Sequence, residues 1–161
     1  MMHIPTHVIS EPKLVGSSPA LERLRSAAAR VAAGNAKVLI TGESGVGKDL
    51  FARLIHARSP RADRPFVALN CAGVSETLLE SELFGHVKGS FTGAHRDKVG
   101  LFQLGHRGTV FLDEVGEMSL RMQAMLLRFL ESGEVKPVGA DLASGKVDVR
   151  VIAATNRNLP D

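Results

Sequence analysis

Eight consecutive residues, Gly42, Glu43, Ser44, Gly45, Val46, Gly47, Lys48 and Asp49, have the types and spacing to hold a phosphate chain. They fit the pattern G-x-x-x-x-G-K, between an apolar run "KVLIT" and a segment in which Phe51, Leu54 and Ile55 recur at helical spacing. Glycines let successive backbone N–H groups converge on phosphate oxygens. A helix N-terminus adds positive potential, and Lys48 can reach the outer phosphates. The generic pattern closes on Ser or Thr, whose hydroxyl holds Mg²⁺, whereas position 49 is Asp. Taken alone, the stretch could also be a glycine-rich turn.

Asp113 and Glu114 end a second apolar run, "GTVFLDE". Ligands of open α/β sheets bind at the carboxyl ends of the strands. Asp113 is therefore placed to hold Mg²⁺ and Glu114 to polarise an attacking water. A lone acidic pair could equally cap the following helix. Two further runs, "FVALN" and "RVIAATN", end on Asn70 and Asn156. Four polar residues at three strand ends, gathered at the end that carries the glycine loop, point to a nucleoside triphosphate site.

A third stretch is Gly89, Ser90, Phe91, Thr92, Gly93 and Ala94, flanked by Lys88, His95, Arg96, Asp97 and Lys98. Two glycines bracketing a Phe-Thr pair predict a loop that swings, with an exposed ring at its tip for a partner to bury. The alternative is that Phe91 folds back as a local anchor. Other chemistry is poorly supported. His3, His7, His56, His86, His95 and His106 have no metal-ligand spacing and read as solvated or loop residues. Cys71, the lone cysteine, reads as a small buried residue rather than a nucleophile, and permits no intrachain disulfide.

The elements that must position these residues alternate. A helix opens at Ser18-Pro19 and stops at Gly34-Asn35, and strands and helices then succeed one another to Asn156. The strand runs are nearly continuous in apolar residues, as parallel strands covered on both faces require. An α/β fold of three layers, helices on both sides of a mostly parallel sheet, follows. Residues 1–16 read as a tail or linker and 17–161 as the domain. The chain has 161 residues, 44% hydrophobic and 23% charged, which is globular composition. Its net charge of +3 is scattered, so no nucleic-acid-binding tail is indicated. No run reaches membrane-spanning length, and a cytoplasmic location is expected.

Together "TGESGVGKDLFARLIH", "PFVALNCAGVSETLLESELFGHVKGSFTGA", "GTVFLDEVGEMSLRMQAMLLRFLE" and "VDVRVIAATNRNL" resemble, in order and spacing, the AAA+ central domain of bacterial sigma-54-dependent transcription activators. The resemblance runs from about Leu14 to Leu159. The family loop is Gly-Ala-Phe-Thr-Gly-Ala, and this chain differs at Ser90 alone. The family commonly has an acid at position 49, which Asp49 matches. By this resemblance Lys48 contacts phosphate, Asp113 serves the metal and Glu114 the water. Asn156 senses the γ-phosphate, and Asn70 holds the catalytic glutamate idle. Residues 89–94 meet sigma-54 in its RNA polymerase holoenzyme, and a second loop, Gly139 to Lys146, moves with them. ATP and Mg²⁺ are the implied cofactors, and a hexamer-like ring the implied assembly. The resemblance also implies that the chain stops before the arginine fingers, a fifth strand, the helical lid and any DNA-binding domain. Alone it is then expected to turn over little ATP and to leave "KVLIT" as an open sheet edge. A non-hydrolysing nucleotide- or sigma-binding fragment, or another AAA+ remodelling ATPase, are the alternative readings.

Overall fold

The computed structural model describes residues 9–158. Helix α1 (Pro19–Ala33) starts where Ser18 accepts a hydrogen bond from the Leu21 N–H at 3.2 Å, with Pro19 in its first turn. There follow β1 (Val38–Thr41), α2 (Lys48–Ala57), β2 (Phe66–Asn70) and α3 (Glu76–Phe84). Two short strands, β3 (Gly85–His86) and β4 (Lys98–Val99), lead to a one-turn helix α4 (Leu101–Leu104). The chain continues through β5 (Thr109–Asp113), a 3-10 turn (Val115–Glu117) and α5 (Leu120–Ser132). It ends on β6 (Glu134–Val135), β7 (Gly145–Lys146) and β8 (Arg150–Thr155).

The main sheet has the order β1-β8-β5-β2, and all its pairings are parallel. Side chains alternate across it as strand geometry demands. Phe66, Phe111, Ile152 and Ala154 face α1 and α2, where Ala28, Ala32, Ala52, Leu54 and Ile55 complete one core. Val67, Leu69, Val110, Leu112 and Val151 face the other way, into a core with Leu83, Phe102, Met122 and Phe129. Both faces are covered, so the strands carry apolar residues at nearly every position. The expected three-layer α/β fold is what forms. Among the described residues β1 is an edge of the sheet, with Leu39 48% exposed. No described helix is long and apolar enough to cross a membrane.

Residues 9–16 form no helix or strand, yet they lie against the domain. Ile9 and Leu14 pack on the α1/α2 core, and Arg58 donates to the Glu11 carboxylate at 2.6 and 2.8 Å. The preceding residues 1–8 lie outside the described region.

Two histidines depart from the sequence reading of solvated or loop residues. His56 is fully buried on α2, its Nδ1 2.8 Å from the Thr109 hydroxyl and its ring tilted on Phe66. His86 is buried at the foot of the β3–β4 hairpin. The helical run through position 56 turns one ring inward, and the hairpin that buries position 86 pairs too few residues to show a period.

Burial holds the His56 imidazole below its ordinary value, and the nearby Arg150 charge pushes the same way. Below pH about 6.5 the unfolded chain therefore binds a proton that the folded chain resists. The stability supplied by a neutral His56 is full above that pH and is lost as pH falls toward its folded value. Urea midpoints of the native chain should drop between pH 7.5 and 5.5 by more than those of a His56→Gln variant. Equal drops would show that His56 is not protonation-coupled to folding.

Candidate functional site

The parallel register sets the site. Asn70 lies beside Asp113 at the carboxyl ends of β2 and β5, and Thr41 lies beside Thr155 at the ends of β1 and β8. The Gly42 N–H continues the pairing by donating to the Thr155 carbonyl at 3.2 Å, which carries the glycine loop over this same end. The loop turns into α2 at Gly47, whose φ of 90° is left-handed backbone that a side chain would resist. Above the strand ends is an open cleft of about 460 Å³. It is lined by Ser44, Gly45, Lys48, Asp49, Asn70, Asp113, Glu114 and Asn156, together with Ala72 and Glu117.

Lys48 is 6% exposed, at the first residue of α2. Its ammonium donates to the carbonyls of Gly42 (2.9 Å) and Glu43 (3.0 Å), and lies 3.5 Å from a Glu114 carboxylate oxygen. Glu114 holds a left-handed conformation, φ 55° and ψ 46°, uncommon for a residue with a side chain. In that conformation its N–H is bound by the Asp113 carboxylate (2.9 Å), and its second carboxylate oxygen accepts the Asn156 N–H (3.1 Å). Backbone strain of this kind is tolerated where surrounding contacts over-determine it. Glu114 is thus fixed between the lysine and the end of β8.

Most of the residues singled out by sequence converge here. Two details differ. Among the described residues no hydrogen bond joins Asn70 to Glu114; the Asn70 amide oxygen accepts the Ala72 N–H at 2.8 Å, closing a local turn. Among the described residues Glu114 is held by Lys48 and by the backbone of Asn156, because its left-handed turn directs it there. Glu117, which the sequence reading passed over, also lines the cleft and pairs with Arg157 at 3.1 Å. Its spacing from Asp113 carries no period, and only the 3-10 turn brings it round.

Cys71 follows Asn70 but faces the interior. Burial pushes its thiol up to about 12, and the Asp113 carboxylate adds to the effect. A thiol of that kind is no nucleophile at neutral pH.

The residues of the cleft suit a magnesium nucleotide. A buried ammonium whose neutral partners are two loop carbonyls offers a positive head to a polyphosphate. Gly45 has φ 81° and no atom within 4 Å of where a Cβ would stand, so the loop's crest is open to a ligand. Asp113, at the rim of the cleft, is a hard oxygen donor of the type Mg²⁺ takes.

The loop 89–94 lies apart from the cleft, above the β3–β4 hairpin. Here the expected exposed ring is corrected. Phe91 is half-buried, edge-on to the His86 ring with centroids 4.9 Å apart and planes at 76°. The loop folds over because its own backbone closes a turn: Gly89 N–H donates to the Ala94 carbonyl (2.8 Å) and Ala94 N–H to the Phe91 carbonyl (3.0 Å). Gly89 and Gly93 are both left-handed, φ 80° and 100°, with open space where a Cβ would be.

Residues 14–161 match the family described as the Sigma-54 interaction domain. The chain is 54% identical over 157 residues to the Nif-specific regulatory protein of Rhodobacter capsulatus, covering 98% of this chain and 27% of that one. It is 52% identical over 155 residues to the anaerobic nitric oxide reductase transcription regulator NorR of Escherichia fergusonii, covering 96% and 31%. The chain therefore spans under a third of the length of these relatives. Among solved structures, NtrX from Brucella abortus in complex with ATP superposes with a TM-score of 0.80 at 42% identity, covering 91% of this chain and 32% of that one. The P-loop NTPase domain of a sigma-54 activator from E. coli, at 14% identity, 86% and 78% coverage and a TM-score of 0.55, shares the fold.

Proposed function

The chain belongs to the sigma-54 interaction domain family of AAA+ ATPase domains, and from that premise we propose that it binds Mg-ATP and drives sigma-54-dependent transcription. Its assembly is a hexamer-like ring in the bacterial cytoplasm, and its target is sigma-54 within the closed promoter complex of RNA polymerase. The observation that carries this reading is the geometry of Lys48, Asp113 and Glu114 at the carboxyl edge of the sheet. Lys48 meets the outer phosphates, and the backbone of Gly42–Gly47 cradles them. Asp113 would hold Mg²⁺, which would supply positive charge against the phosphates. Glu114, displaced from Lys48 once phosphate takes its place, orients the attacking water. Asn156, whose N–H grips the Glu114 carboxylate, registers that displacement along β8. DNA contact belongs to other parts of the activator.

The residues that meet sigma-54 are Gly89 to Ala94, with Phe91 and Thr92 at the tip. Phe91→Ala and Thr92→Ala should each leave nucleotide affinity within about twofold and lower nucleotide-dependent association with sigma-54 at least about tenfold, the loss of a buried anchor. Co-sedimentation with a transition-state analogue of ATP measures it. Retained association in both variants, or no nucleotide-dependent association of the unsubstituted chain, rejects the assignment.

A further inference from the structure

Phe91 is not free in this structure, and what restrains it is built from identifiable parts. His86 is 9% exposed, and its Nδ1 lies 2.6 Å from the Ser81 hydroxyl, itself buried on α3. That hydrogen bond restrains the imidazole, which meets the Phe91 ring in a T-shaped pair. The stem around His86 is held from a second side. Val87 N–H donates to the Val138 carbonyl (3.1 Å) and Val138 N–H to the Gly85 carbonyl (2.9 Å), so the residue just before the second loop flanks the first. A Cβ at Gly139 would stand 2.5 Å from that of Ser90, so the two loops touch with no room between them. One element opposes this packing. The Ser90 hydroxyl is buried with no hydrogen-bond partner, and an unpaired buried hydroxyl disfavours the state that buries it.

We propose that His86, oriented by Ser81, is the seat on which Phe91 is stowed, and that this positioning residue and the Ser90 hydroxyl set, in opposite senses, how often the ring is presented to sigma-54. The proposal rests on the reading that Phe91 is the sigma-54 contact. A ring held by one edge-to-face contact is restrained but releasable, because such pairs are worth a factor of about 2 to 10 in an equilibrium.

The chain has no Trp and no Tyr, so Phe91→Trp makes a lone fluorescent reporter at the seat. Acrylamide quenching of that reporter should rise about twofold or more when His86→Ala is added, rise less with Ser81→Ala, and fall with Ser90→Ala. With Phe91 retained, His86→Ala should strengthen sigma-54 association about 2- to 10-fold, and Ser90→Ala should weaken it. Should His86→Ala unfold, as circular dichroism would reveal, the Ser81 and Ser90 variants carry the comparison in opposite directions. Quenching unmoved by the Ser81 and Ser90 substitutions overturns the seat. Association unmoved by the seat variants, in a chain where Phe91→Ala abolishes it, overturns the control of presentation. Unmoved association in Phe91→Ala itself, beside altered quenching, rejects the contact assignment and leaves the seat standing.

Discussion

Lys48→Ala should weaken Mg-ATP binding at least about 100-fold, roughly 2.7 kcal/mol, in a chain that still folds. The ammonium is buried at the floor of the cleft, and its protein partners are two loop carbonyls and Glu114. Removing it takes away the positive charge that a polyphosphate would meet, where water is poorly placed to substitute. It costs the fold little by comparison, since Gly42 and Glu43 sit in an accessible loop and Glu114 keeps the Asn156 N–H. Calorimetric titration of the folded variant measures the loss. Unchanged affinity would remove the phosphate loop from Gly42–Asp49 and with it the rest of the catalytic reading.

The second large effect is expected at the opposite end of the sheet. Arg150, 2% exposed at the start of β8, donates to the carbonyls of Val31 (2.6 Å), Ala32 (3.2 Å) and Ala36 (3.2 Å). These are acceptors at and just beyond the last turn of α1, where helical carbonyls lack partners of their own. The positive charge also suits the negative end of the helix dipole. Burial lowers the guanidinium's affinity for its proton, with Arg61 adding repulsion, but leaves it charged. Arg150→Met keeps the stem and leaves the Ala32 and Ala36 carbonyls unpaired, while Val31 keeps only the Gly34 N–H at 3.3 Å. A loss of roughly 3 kcal/mol is expected, about 10 °C in melting temperature for a domain of this size. ATP affinity of the folded fraction should change little. A melting temperature within about 2 °C of the parent would show that water satisfies those carbonyls.

Much of this was legible in the chain itself, for physical reasons. Ser18-Pro19 marks a helix start because caps are local chemistry. Strand ends at Asn70 and Asp113, and the last strand's end to within one residue (read at Asn156, formed at Thr155), were readable because apolar runs stop where the sheet meets solvent. Arg150 was not readable. It precedes "VIAAT" like any polar flank, and its partners lie 114 to 119 residues earlier. The turn of Glu114 away from Asn70 was equally hidden, since it depends on one residue's left-handed backbone. Phe91 shows the limit most plainly. A ring between two glycines reads as an exposed tip, and its seat depends on pairing Gly85–His86 with Lys98–Val99, two-residue strands that leave no periodic trace.

The base of that hairpin has a mechanical consequence. A Cβ at Gly85 would meet the Lys98 carbonyl oxygen at 2.4 Å, and one at Gly100 would meet the Gly85 nitrogen at 2.4 Å. The two backbones are therefore pressed together, and Lys98 is further tied to Glu82 on α3. Such a base is a fixed pivot, and the chain between His86 and Lys98 is the whole of the arm it carries. With roughly five residues out and as many back, that arm extends no more than ~17 Å from its pivot. On the proposed reading of this loop as the partner contact, its reach toward that partner is bounded by that length. Widening the fulcrum with Gly100→Ala would be felt as lost leverage at the tip.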